Sequence, residues 1–154
     1  MKQADVVYFA THAIASEINP MDNNFLVLSG DSDPFLTSRD IMKLRDTLYT
    51  GQNNFPQLVI LSACQTGLGQ SREAGVTGGL ARSFLIAGAS QVIMSLWSVN
   101  DASTSFLMNR FIFHLEQNNI NSPSEVLRLA ELDTRKKFPN PVDWASFSMY
   151  GVNF

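Results

Sequence analysis

The chain has 154 residues, 45% of them hydrophobic and 16% charged, with a formal net charge of −3. That is enough apolar material for one cored domain and excludes a disordered tail, while the small negative charge excludes a dedicated binder of nucleic-acid backbones. A single cysteine, Cys64, rules out an internal disulfide and a cysteine-rich zinc site. No apolar run approaches the ~18 residues of a membrane span, and Val6 to Ala10 is too short for a signal-peptide core. The expected setting is the cytoplasm, with a reduced thiol.

In chain order, Val6 to Ala10 is β-branched and aromatic and reads as a buried strand of a parallel sheet, ending at Thr11-His12. A loop containing Asn19-Pro20 and Asn23-Asn24 leads to a short strand, Phe25 to Leu28. The segment Ser29 to Pro34 is turn-forming. Thr37 followed by Asp40 resembles a capping box, opening a helix with Ile41, Leu44 and Leu48 on one face and closing near Gly51. Leu58 to Ala63 is a second buried strand, followed by Cys64 and a glycine-bearing loop to Gly69.

A small-residue helix is predicted over Thr77 to Ala89, ended by Gly88, and a third buried strand over Gln91 to Trp97. Asn100-Asp101 leads into a helix carrying Phe106, Leu107, Phe111, Phe113 and Leu115. Ser122-Pro123-Ser124-Glu125 combines a capping box with proline at the first helical position, and that helix finishes at Arg135-Lys136-Lys137. Trp144 to Tyr150 alternates as a last strand. The order implies an α/β sheet covered by helices.

Several chemistries lack their motifs. There is no G-x-S-x-G elbow, no H-E-x-x-H, no P-loop lysine and no dinucleotide fingerprint, so neither a metal nor a nucleotide cofactor is expected. His12 and Cys64 remain. Each follows a strand read as buried and parallel, and in open α/β sheets sites gather outside the strands' carboxyl ends. On neighbouring strands the imidazole can activate the thiol, whose thiolate is the nucleophile. The alternative for each is a structural role: a small buried hydrophobe for Cys64, a packed imidazole for His12. His114, inside a helical run, is read as a packing or surface residue. The histidine precedes the cysteine by 52 residues, the order of caspases and not of papain-type enzymes.

At these residues the chain resembles the CHAT domain, a caspase-like cysteine peptidase module often attached to tetratricopeptide (TPR) repeats. Phe9-Ala10-Thr11-His12 is similar to its histidine motif and Leu61 to Gly69 to its cysteine motif. Gly79 to Phe84 with Ala87-Gly88-Ala89, Ser95 to Asp101, and Trp144 to Phe147 resemble its following helix, third strand end and last strand. The resemblance implies a caspase-like, mostly parallel sheet with helices on both faces. In that fold the strand before the histidine is the third, so residues 1–154 are expected to be the C-terminal, catalytic portion of the domain, lacking the first two strands.

It also implies a cysteine endopeptidase with His12 as general base and acid and Cys64 as nucleophile, acting on a protein partner in bacterial signalling or defence. The oxyanion donors would be the backbone N–H groups of Cys64 and Ala13. Asp101, or Asp31 and Asp33 across the cleft, would favour a basic substrate residue, although Asp101 is equally read as capping its helix. Expected partners are the protein substrate, a TPR-like regulatory region, and a second chain or copy that completes the sheet beside Val6 to Ala10. The alternatives are a catalytically silent scaffold of the same fold, and thiol-dependent acyl transfer other than proteolysis.

Overall fold

The computed structural model describes residues 5–14, 16, 18–30, 33–47, 55–62, 74–117 and 122–151. Its centre is a four-stranded sheet in the order β1-β5-β6-β7, made of β1 (Val6–Phe9), β5 (Leu58–Leu61), β6 (Gln91–Ser95) and β7 (Phe147–Gly151). β1, β5 and β6 are parallel, and β7 runs antiparallel to β6. The central strands are apolar on both faces, as helices on both sides require. Val59, Leu61, Val92 and Met94 point into one core with Phe84, while Leu58, Ile60 and Ile93 point into the other with Leu107, Phe111 and Val126.

Helix α3 (Ala74–Ala87) covers the first face, with α2 (Ser38–Lys43) packed on it. Helices α4 (Asp101–Glu116) and α5 (Pro123–Lys137) cover the second. Phe84 and Phe111 are fully buried, each contributing about 2–3 kcal/mol of transfer free energy. A second, antiparallel sheet, β2-β3-β4, joins β2 (Ala13–Ile14), β3 (Phe25–Val27) and β4 (Phe35–Thr37). The class, the parallel core and the helices on both faces match the sequence-based expectation.

Several local expectations are corrected. β1 is parallel and stands at the edge of the described sheet, and Val6 and Tyr8 on it are exposed where a strand buried on both faces was expected. The loop after His12 contains β2 and a one-turn helix, α1 (Pro20–Asn23), while the turn after Gly30 leads into β4. The third strand stops at Ser95, leaving Leu96 and Trp97 outside it. Trp144 belongs to a short helix, α6 (Pro141–Trp144), because Asn140 accepts from the Val142 N–H and Pro141 sets the first helical residue.

The caps divide. Thr37 accepts from the Asp40 N–H at 3.2 Å as expected, and the helix it opens gives way to a 3₁₀ turn over Leu44–Thr47. Gly88, with φ of 119°, ends α3, its N–H donating to the Phe84 carbonyl. At α5 the expected capping box does not form. The Ser122 hydroxyl pairs with Ser124, and Glu125 is drawn to Arg128, where it accepts from Nε at 2.8 Å.

Candidate active site

His12 lies where the chain leaves the large sheet and enters the small one. β1 ends at Phe9 and β2 begins at Ala13, so the three residues between them form the corner. That corner is held by β3: the Val27 N–H donates to the His12 carbonyl at 2.9 Å, and the Thr11 hydroxyl donates to the Val27 carbonyl. With its backbone clamped this way, the exposed His12 imidazole stands at the carboxyl edge of the parallel strands.

Phe9 is paired with Leu61, and the Ser62 N–H donates to the Phe9 carbonyl at 2.9 Å, carrying the ladder one residue past β5. β1 and β5 are therefore neighbours, the condition on which the pairing of His12 with Cys64 rests. His12 follows the Phe9–Leu61 pair by three residues on one strand, and in sequence Cys64 follows it by three on the other. Cys64 itself lies outside the described residues, as does Asp31.

Ala13 faces Leu26 across the small sheet. In an antiparallel ladder hydrogen-bonded and non-hydrogen-bonded pairs alternate. Since the Val27 N–H bonds to His12, the Ala13–Leu26 pair is of the second kind. The Ala13 N–H is consequently turned away from β3.

Asp33 stands in the turn between β3 and β4, a few residues beyond the Val27 that holds His12. Its Oδ1 accepts from the Phe35 N–H at 3.2 Å, a local turn bond. Asp101 is exposed in the first turn of α4, beyond the carboxyl end of β6 and hence on the same edge of the sheet as His12. The cap of α4 is Asn100, whose Oδ1 accepts from the Ala102 N–H at 2.8 Å, so the capping role considered for Asp101 falls to its neighbour.

Leu96 and Trp97 fall in the Ser95 to Asp101 segment that resembles the family's third strand end, where the sequence assigns them no role of their own. Both are 36% exposed just past β6. The Trp97 Nε1–H donates to the Val142 carbonyl at 3.0 Å, which fixes the indole against α6.

Among the described residues no group of three or more His, Cys, Asp or Glu side chains is placed to hold a metal ion, and no helix is long and apolar enough to cross a membrane. His114 is not a bystander on its helix: its Nε2 lies 2.9 Å from Asp133 Oδ2, tying α4 to α5 far from the strands' carboxyl edge.

Comparison with known proteins gives two relatives. Tetratricopeptide repeat protein 28 of Mus musculus is 30% identical over 116 residues, covering 75% of this chain, and its Homo sapiens counterpart is 27% identical over 177 residues, covering 98%. The chain spans only 4% and 7% of the lengths of these relatives. The family model of the CHAT domain matches residues 1–152. The chain belongs to the CHAT domain family.

Proposed function

We propose that this chain is a cysteine endopeptidase that cleaves a protein partner with a His12–Cys64 dyad. The observation that carries the reading is the parallel pairing of β1 with β5, with the histidine and the cysteine each following the same paired position by three residues. Membership of a caspase-like peptidase family supports it.

In this reading the imidazole takes the proton of the Cys64 thiol, and the thiolate attacks the scissile carbonyl carbon. The resulting oxyanion is stabilised by the Cys64 N–H and by the Ala13 N–H, which the ladder leaves turned away from β3. Collapse of the tetrahedral species breaks the C–N bond as His12 returns the proton to the leaving amine. Water activated by the same imidazole then hydrolyses the thioester and restores the thiol.

Asp101 and Asp33, with Asp31, supply negative charge for a basic substrate residue, and Leu96 and Trp97 supply an apolar wall beside it. The TPR proteins among the relatives support a regulatory region of that kind acting on this domain. We place the activity in cytoplasmic signalling or defence, and residues 1–154 as the catalytic portion of the peptidase.

The test is the pH profile of Cys64 alkylation in the wild type and in His12→Ala, together with cleavage of a labelled peptide library by the wild type and Cys64→Ala. The wild type is expected to alkylate well below the range of an ordinary thiol, whose pKa is about 8.5. His12→Ala is expected to return to that range, and Cys64→Ala to cut nothing. An ordinary thiol profile in both proteins, with no peptide cut, would overturn the assignment.

A further inference from the structure

A cavity of about 550 Å³ lies between α1, α2 and α3, on the helical layer that covers one face of the large sheet. Its size is set by a close approach. A Cβ on Gly79 would fall 2.5 Å from the Asn24 Nδ2, so α3 meets the residue after α1 with no side chain between them. Asn24 is fully buried; its side-chain oxygen accepts from the Ser16 N–H at 2.6 Å, and its carbonyl accepts from the Ser38 N–H at 2.8 Å. Three helices are thereby fixed around a space they do not fill.

The lining is of two kinds. Met21, Met42 and Ile86 make apolar walls, of which the methionines adapt readily to a ligand's shape. Arg82, Ser83 and Ser38 are polar. The Ser83 hydroxyl donates to the Gly79 carbonyl at 2.8 Å and keeps acceptor capacity. Ser38 is 2% exposed, yet its hydroxyl has no hydrogen-bond partner among the described residues. With less than 1 Å² of its oxygen exposed, that hydroxyl lies beneath the cavity wall and offers a bound molecule no contact. Arg82 is exposed and pairs with no carboxylate among the described residues.

We infer that this cavity binds a small amphipathic carboxylate, its apolar body between Met21, Met42 and Ile86 and its charge on Arg82. One guanidinium matches a singly charged, planar carboxylate in a two-point contact, whereas a phosphate dianion would call for further cations. The volume lies within the range of small-molecule sites. None of these residues belongs to the proposed peptidase edge, so the inference stands or falls separately from it.

Decanoate is the probe, titrated calorimetrically into the full chain, with decanol and inorganic phosphate as separate arms. Saturable binding of decanoate with a raised thermal midpoint is expected, and decanol and phosphate are expected to bind at least about tenfold more weakly, each lacking half of the recognition. Arg82→Gln, a surface change, should weaken decanoate about tenfold, and Met21→Trp should block it while leaving the melt of the ligand-free protein unchanged. Absence of saturable binding, or binding indifferent to Arg82→Gln and Met21→Trp, overturns the site; tighter binding of decanol or phosphate overturns the ligand class.

Discussion

Gly151 closes β7 opposite Gln91 with φ of +125°, a conformation open to glycine and strained for any other residue. A Cβ there would lie 2.2 Å from the Ser90 carbonyl oxygen and 2.9 Å from the Gln91 Cα, both backbone atoms that cannot rotate aside. Gly151→Ala therefore adds backbone strain to overpacking and should cost about 2 kcal/mol or more. The measurement is a urea midpoint that falls while the slope stays constant. At this scale the sequence was informative about chemistry and silent about close contacts. His12 is legible because it follows an apolar strand, as Cys64 does, and the cysteine is followed by turn residues. Asn24 belongs to a segment that reads as a loop, yet it is fully buried and organises the meeting of α1, α2 and α3. Nothing local distinguishes such an asparagine from one in a solvated turn, since Ser16 and Ser38, which bond to it, and Gly79, which packs on it, come from three other segments.

Helix α5 carries two carboxylates whose environments push them in opposite directions. Asp133 accepts from Lys136, from His114 and from Arg110, and these hydrogen bonds hold its carboxyl well below its ordinary value of 3.8. A depressed carboxyl stabilises the fold above its unfolded value, and the stabilisation is lost as pH falls through the acid range below about 4. Asp133→Asn should cost about 1–2 kcal/mol at pH 7 and progressively less below pH 4, read from thermal midpoints across pH.

Glu131 behaves the other way: burial pushes its carboxyl up to about 7 from 4.5. The folded state then binds the proton more tightly than the unfolded one, so stability falls as pH rises from about 4.5 through 7. Glu131→Gln should match wild type near pH 4 and exceed it at pH 8 by about 1 kcal/mol, solvent screening at this partly exposed site included. A variant that loses stability at pH 8 would show that the ionised carboxylate has a stabilising contact. The helix itself was legible from its apolar spacing and its basic last turn. Its tie to α4 was not, because the Asp133–His114 pair joins residues 19 apart. The two- to four-residue elements β2, β4, α1 and α6 are too short to display a period, and tertiary contacts fix them.

The whole molecule is asymmetric about its sheet. β7 closes one side antiparallel to β6, while β1 on the other side is paired only with β5 among the described residues. β1 therefore presents an outward row of backbone donors and acceptors, with Val6 at 38% and Tyr8 at 42% exposure beside it. Such an edge is a template for another strand. A second copy of the chain meets the requirement, since two β1 strands related by a two-fold axis pair antiparallel. That arrangement turns the two carboxyl edges in opposite directions. We accordingly predict concentration-dependent association from 17.1 kDa toward twice that mass in sedimentation equilibrium. Tyr8→Lys places a charge on the edge and should weaken association by about tenfold. Its own melting should not change, because Tyr8 lies outside both buried clusters. If the dyad is complete within one chain, alkylation of Cys64 should proceed at the same rate in Tyr8→Lys as in the wild type. A chain that remains monomeric to about 100 μM would remove the second copy as the partner of β1, and a loss of Cys64 reactivity in Tyr8→Lys would mean that pairing at this edge shapes the neighbouring carboxyl ends of β1 and β5.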